Sequence, residues 1–371
     1  MLGTTERTVI MRRSKPMTLA VFVALFAIIA LAEGKAHAQK SYRPPNDELP
    51  NPYREPQSFG QLPKGWKQFI FFSGIDVDAD GHIWIFMRCP GGGCSGTTVD
   101  TVVEFDKSGK ILRSWGGGLF NQAHSLDVDK DGNIWLVDSQ VKDGKGSQVF
   151  KFTPDGKLLM TLGKAGVAGD GPDEFNQPNA VKIGPTGDIF VASGHDFPKC
   201  ENSRIEKFSK DGKFIKEFGK GSGVAQVKCP HQLAFDSKGR LFVAEMGSTH
   251  RVSIFDQDGN YITAWKQFGG PTGIYIDDRD VLYATDSLAT DDFYMNPTQP
   301  GWAYDPGVMR GVRIGSVTDG KVTGFIPDPS QMGPAHGREV GAVDREGNLY
   351  QVPENPVPGS PNPVFRKYVK K

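Results

Sequence analysis

QAHSLDVDKDGNIWLVDS, residues 122–139, is one of six near-copies of a single pattern. The others are FSGIDVDADGHIWIF (Phe72–Phe86), QPNAVKIGPTGDIFVASG (Gln177–Gly194), CPHQLAFDSKGRLFVAEM (Cys229–Met246), GPTGIYIDDRDVLYATDS (Gly270–Ser287) and GREVGAVDREGNLYQVPE (Gly337–Glu354). Each alternates apolar and polar residues, turns tightly at an Asp/Gly site, and returns as a second short strand. The shared turn position falls at Gly81, Gly132, Gly187, Gly239, Asp280 and Gly347. Paired short strands recurring about every 50 residues mean a β-propeller.

Between these hairpins lies a second recurrent element: VVEFDKSGKILRSWG, VFKFTPDGKLLMTLG, IEKFSKDGKFIKEFG, VSIFDQDGNYITAWK and the weaker IGSVTDGKVTGFI. Two hairpins per repeat build one four-stranded antiparallel blade, so the chain is expected to be an all-β, six-bladed propeller around a central channel, almost without helix. The first strand of each copy is expected to be innermost. After the sixth copy only PVFRKYV remains, so the segment after Pro44, including Trp66–Phe71, is expected to supply the missing outer strand and close the ring.

Residues 1–38 read as a secretory signal peptide: Arg12, Arg13 and Lys15 precede the apolar run Met17–Leu31, and Ala36-His37-Ala38 is a small-x-small cleavage site. The run is about 15 residues, short for a membrane span of about 20; an uncleaved N-terminal anchor is the alternative. Residues 39–65 then form an N-terminal extension and 66–371 the propeller, with the product periplasmic or secreted. Without the leader's five basic and two acidic residues, 38 basic and 41 acidic residues remain. That balance argues against nucleic acid and against membrane surfaces, and leaves a small-molecule or peptide-like substrate as the expected partner. All four cysteines lie in the exported part, where disulfides are permitted. Cys89–Cys94 can close a small ring around Pro90–Gly93, and Cys200–Cys229 can tie blade three to blade four; a metal role for Cys89 and Cys94 is the other reading.

Two copies carry histidine at one phase, His124 and His231, each eight residues before its turn glycine. In a propeller, one phase of the inner strand forms a ring at one level of the channel. This ring reads Ser73, His124, Asn179, His231, Thr272 and Glu339. Five of the six are side chains able to bind or orient a metal, where alternation alone would predict apolar or small residues.

Phe72–Tyr350 resembles the six-bladed propellers of the NHL-repeat class, specifically the peptidyl-α-hydroxyglycine α-amidating lyases. The resemblance is carried by FMRC (Phe86–Cys89), Leu119–Asp138, FNQPNAV (Phe175–Val181), ENSRIEKFSKDGKF (Glu201–Phe214) and CPHQLAF (Cys229–Phe235). It implies zinc in the channel on three histidines from alternate blades, with an arginine and a tyrosine completing the site. His124 and His231 match two zinc ligands. In blade six the ring position is Glu339, which can ligate zinc, with His336 three residues upstream as the other candidate. Arg88, ending the strand HIWIFMR, matches the catalytic arginine. The tyrosine does not match: His195 in VASGH stands there, followed by the insertion DFPK, and becomes the candidate base. Asn202-Ser203-Arg204 matches a loop-orienting element. The resemblance also implies structural calcium on an aspartate after the third zinc ligand, but Val340 stands there.

The implied reaction is carbon–nitrogen cleavage of a peptide ending in α-hydroxyglycine, giving amide and glyoxylate. With no tyrosine, the base is His195 or metal-activated water, and the latter points to hydrolysis, as of a lactone. An exported propeller that binds a ligand or protein at its rim without turnover is the third reading.

Overall fold

The computed structural model describes residues 48–67, 72–89, 93–196, 199–246, 249–289, 305–328, 341–351 and 365–371. The leader with its cleavage site, the blade-six candidates Glu339 and His336, Val340, and residues 290–304 lie outside the described residues.

Six four-stranded antiparallel sheets make the ring, and in five of them the strands run from the inside out in chain order. Blade one is Phe72–Val77, Ile83–Met87, Val102–Phe105 and Ile111–Trp115; blade two is Ala123–Val128, Ile134–Asp138, Gln148–Phe152 and Leu158–Leu162. Blade three is Pro178–Ile183, Ile189–Ser193, Arg204–Phe208 and Phe214–Phe218; blade four is Pro230–Phe235, Leu241–Glu245, Arg251–Phe255 and Tyr261–Trp265. Blade five is Pro271–Ile276, Val281–Asp286, Gly311–Ser316 and Val322–Pro327. Blade six takes Gly341–Val343, Leu349–Gln351 and Arg366–Tyr368 from the C-terminal end and Gln57–Ser58 from the N-terminal side. The described residues contain no helix.

The closing strand lies upstream of Trp66–Phe71, within the segment read as an extension. Gln57 pairs with Lys367 and Ser58 with Arg366, and Tyr53 bridges Lys370 beyond them. Phe59 anchors the joint, its ring edge-on to Tyr350 and to Phe365, each 5.0 Å away. Trp66 is buried outside any strand, packed on the blade one–blade six core, with Nε1 donating to the Asp100 carbonyl at 2.9 Å. Its bulk suits that wedge better than an exposed outer strand.

The turn chemistry explains why the repeats fold alike. An aspartate three residues before the turn position accepts from the backbone N–H one residue after it: Asp78 from His82, Asp129 from Asn133, Asp236 from Arg240, Asp277 from Val281 and Asp344 from Asn348, all at 2.7–2.9 Å. This side-chain bond fixes the turn locally. The turn residue sits at positive φ, +74° to +90° where it is glycine, and at +59° at Asp280, whose carboxylate is held by Ser237. The second oxygen of the turn aspartate takes the ring donor of the returning strand: Trp84 on Asp78, Trp135 on Asp129 and Tyr350 on Asp344, each at 3.0 Å.

The core lies between blades. One apolar cluster fills each of the six interfaces; Trp84 and Phe86 of blade one meet Leu126, Ile134 and Leu136 of blade two, and Trp135 and Val137 of blade two meet Val181, Ile189 and Val191 of blade three. Burying one such side chain is worth about 1.5–3 kcal/mol. The ring therefore stands on its interfaces, and the channel is left to carry polar groups.

Candidate metal centre

Each inner strand of blades one to five breaks register once, at the position eight before the turn. The breaks fall between Phe72 and Gly74, Ala123 and Leu126, Pro178 and Ala180, Pro230 and Gln232, and Pro271 and Gly273. Ser73, His124, Asn179, His231 and Thr272 thus sit in β-bulges. A bulge re-aims its side chain and withdraws its peptide from the ladder. His124, Asn179, His231 and Thr272 are all buried.

The released carbonyls hold the histidines of the preceding blade. His124 Nδ1 lies 2.7 Å from the Asn179 carbonyl, and His231 Nδ1 lies 2.6 Å from the Thr272 carbonyl. A carbonyl accepts, so each Nδ1 carries the proton, and each Nε2 presents a lone pair. The start of these strands is fixed in turn by an acid at the end of the second strand. Asp138 accepts from the N–H groups of Asn121 and Gln122, and Glu245 from that of Lys228.

His195 joins them from blade three. It lies two residues past the strand Ile189–Ser193 and eight residues after its turn glycine, at the same end of the hairpin as the bulge residues. The ring centroids are 4.9 Å apart for His124 and His195, 5.1 Å for His124 and His231, and 5.0 Å for His195 and His231. One nitrogen from each lies within 4.8 Å of the others. The Nε2 atoms of His124 and His195 are buried with no hydrogen-bond partner. Orphaned lone pairs converging from several sides are what a divalent cation takes up, so the residues present fit the metal that the sequence implies.

Arg88, at the end of the second strand of blade one, donates from Nε to the Ala123 carbonyl at 2.9 Å, one residue before His124. Burial first, then the Arg88 charge and the neighbouring imidazoles, hold the His124 ring well below the usual histidine pKa. Burial, His231 and Arg88 do the same for His195. Two residues deeper along the inner strands, Ile75, Leu126, Val181, Leu233, Ile274 and Gly341 line a void of only about 30 Å³. That is room for about one water. Among the described residues, these six positions narrow the channel two residues below the histidine level.

The disulfides are Cys89–Cys94 and Cys200–Cys229. The first follows Arg88 directly. The second joins the loop after His195 to the residue two before His231, and both its cysteines sit at positive φ, +54° and +42°. The Asn202-Ser203-Arg204 element works structurally. Ser203 Oγ donates to the Cys200 carbonyl at 2.8 Å and accepts from the Cys229 N–H at 2.9 Å. Arg204 is fully buried against Glu206, the Asn202 amide and the Glu174 carbonyl. Asp286 caps the Gly270 N–H and those of Leu288 and Ala289. A second acid–imidazole group, Asp78, His82 and Glu104, sits at the opposite end of its hairpin and is consumed internally. His82 meets Glu104 at 2.8 Å, and Arg113 pairs with the same carboxylate.

His124, His231 and Arg88, which the sequence singles out, stand together in the structure. The sequence casts His195 as a base, and the three-imidazole triangle escapes a phase counted on the inner strand alone. Counting outward from the turn on both strands would have shown it.

No family model matches the chain. Among curated proteins, it is 36% identical over 262 residues to peptidyl-glycine alpha-amidating monooxygenase A of Xenopus laevis, covering 67% of this chain and 25% of that protein. It is 35% identical over 160 residues to peptidyl-alpha-hydroxyglycine alpha-amidating lyase 1 of Drosophila melanogaster, covering 40% of this chain and 28% of that protein. It is 29% identical over 219 residues to NHL repeat-containing protein 3 of Mus musculus, covering 55% and 59%. The chain thus spans about a quarter of the length of the amidating monooxygenase A that it matches. Among solved structures, a gluconolactonase from Xanthomonas campestris superposes with a TM-score of 0.56 at 14% identity, covering 88% of this chain and 99% of that one. A streptogramin B lyase superposes with a TM-score of 0.53 at 12% identity, covering 85% and 97%. At such identities these two speak for the fold alone. The chain is a six-bladed β-propeller homologous to the peptidyl-α-hydroxyglycine α-amidating lyases and to NHL repeat proteins.

Proposed function

We propose that this protein is an exported, metal-dependent carbon–nitrogen lyase of the amidating type, acting on a peptide-like substrate that ends in α-hydroxyglycine. The observation that carries the reading is the convergence of His124, His195 and His231 beside Arg88 at one level of the channel. Homology to amidating lyases supports the reaction class, and two disulfides together with the leader-like N-terminus support export.

His124 and His231 would hold the ion, and zinc suits such nitrogen donors with a position left open to substrate. When bound, it supplies Lewis-acid polarisation of a substrate oxygen. The rest falls to the chain. Arg88, steadied on the Ala123 carbonyl, is the cation that would meet the substrate carboxylate. In the reaction the α-hydroxyl loses its proton and becomes the aldehyde of glyoxylate. The C–N bond breaks, and the departing nitrogen takes up a proton as the amide.

The test is glyoxylate release by purified protein from a peptide ending in α-hydroxyglycine. Release should be abolished by chelation, restored by zinc, and lost in His124→Ala/His231→Ala. Metal-loaded protein that releases no glyoxylate but opens lactones would replace the lyase reading with the hydrolase one. Silence in both assays would leave a ligand-binding propeller.

A further inference from the structure

We propose that His195 is itself a metal ligand, so that blade three joins blades two and four in gripping the ion. The inference rests on the channel-metal reading above and assigns within it a residue that the sequence had cast as a base.

Three observations carry it. The centroid separations of 4.9, 5.1 and 5.0 Å make a nearly equilateral triangle. A base that serves a substrate beside the metal has no reason to stand equidistant from both ligands, whereas a third ligand must. Tetrahedral coordination with metal–nitrogen bonds of about 2.0–2.1 Å asks for nitrogens roughly 3.4 Å apart. The present spread, within 4.8 Å, closes to that by small ring movements. Two of the rings are also tethered alike, His124 through Nδ1 to the Asn179 carbonyl and His231 through Nδ1 to the Thr272 carbonyl. That is how protein ligands are oriented, one nitrogen on a carbonyl and the other on the ion. His195 Nε2 is buried and unpartnered although the residue itself is only half-buried.

The loop is built to keep His195 in place. The N–H groups of Gly194 and His195 donate to the carbonyls of Asn176 and Gln177 at 3.0 and 3.3 Å. Asp196 Oδ1 accepts from the Glu201 N–H at 3.0 Å, and Cys200–Cys229 fastens the loop to the residue just before the strand Pro230–Phe235 that carries His231.

The experiment measures metal, not turnover. Protein stripped with a chelator is titrated with Zn²⁺ against a chromophoric competitor and with Co²⁺ by visible absorption, in wild type, His195→Ala and His195→Gln. Loss of a ligand should weaken Zn²⁺ binding by about 100-fold or more, since even losing an outer partner costs 10–100-fold, and should weaken the intense visible bands of four-coordinate Co²⁺. Thermal melting of the metal-free forms checks that both variants fold; His195→Gln, which keeps bulk and polarity, decides if His195→Ala does not. Zn²⁺ affinity within threefold of wild type and an unchanged Co²⁺ spectrum would overturn the assignment while leaving a metal on His124 and His231. A wild-type protein that binds neither ion would bring down both this assignment and the metal-dependent reading.

Discussion

The carbonyl of Asn179, in the bulge of blade three, accepts from Nδ1 of His124, in the bulge of blade two, at 2.7 Å. The same irregularity in two neighbouring copies thus makes a ligand in one blade and the brace for it in the next. Asn179 is itself held, its side-chain amide donating to the Pro230 carbonyl across the blade three–blade four interface.

Asn179→Ala should therefore act at a distance. Removing that amide frees the Asn179 peptide and loosens the brace behind His124. Zn²⁺ affinity should fall about tenfold, in the range for loss of an outer partner, while stability falls by only about 1 kcal/mol. Paired metal titration and urea unfolding would check this; equal affinities in the two proteins would show that the carbonyl is held without the side chain.

Cys200→Ser/Cys229→Ser should cost more. The bridge closes a loop of 29 residues, which the chain-entropy treatment values at about 3–4 kcal/mol. The urea midpoint should drop accordingly, and metal affinity should drop with it, because the loop after His195 loses its tie. Cys89→Ser/Cys94→Ser, closing only five residues, should shift the midpoint less. The opposite order would contradict both expectations.

Arg88→Ala should lower kcat/KM for glyoxylate release by at least about tenfold, the equivalent of about 1.4 kcal/mol. Zn²⁺ binding should persist, since Arg88 meets the Ala123 carbonyl and no metal-facing nitrogen is lost. Arg88→Lys should recover only part of the rate, because a single ammonium cannot both brace on Ala123 and fork onto a carboxylate. Full activity in Arg88→Ala would remove the residue from the site.

The buried acid beside Arg204 gives a pH signature. Burial pushes Glu206 from 4.5 to about 7, against the opposing pull of Arg204 and the Ser193 hydroxyl. The folded state then keeps a proton that the unfolded chain releases between these values. This contribution to stability is complete below pH 4.5 and is lost as pH rises through about 7, on the order of 3 kcal/mol in all. Glu206→Gln cannot titrate, so the stability of wild type relative to the variant should fall between pH 5 and pH 8 in urea unfolding. Parallel curves would mean that Glu206 ionises normally.

The fold was legible because a propeller is written locally. The turn aspartate, the turn glycine and the alternating strands each act within about ten residues, so six copies could be counted without any long-range contact. His124 and His231 were legible for the same reason, as one phase of one strand. The closing strand was not. Gln57–Ser58 carries no apolar alternation, and it becomes a strand only because Arg366–Tyr368 offers an open edge on which Phe59 can pack. Trp66, with the stronger strand propensity, is taken instead by the wedge between blades one and six.

What the amino-acid sequence determined by itself is the repeat: blade number, turn chemistry, the cysteine pairs to test, and the histidine phase. What only the tertiary structure decided is which side chains meet. The bulge at the ring position is a register slip between two strands, invisible in either one alone. It turns His124 and His231 inward and releases the carbonyls of Asn179 and Thr272 to brace them. His195 reaches them from another strand of another blade, on a loop whose path is set by a disulfide to blade four. Local pattern is encoded by neighbours in the chain, whereas a metal centre needs lone pairs a few ångströms apart from residues separated by dozens of positions, and ring closure brings those positions together.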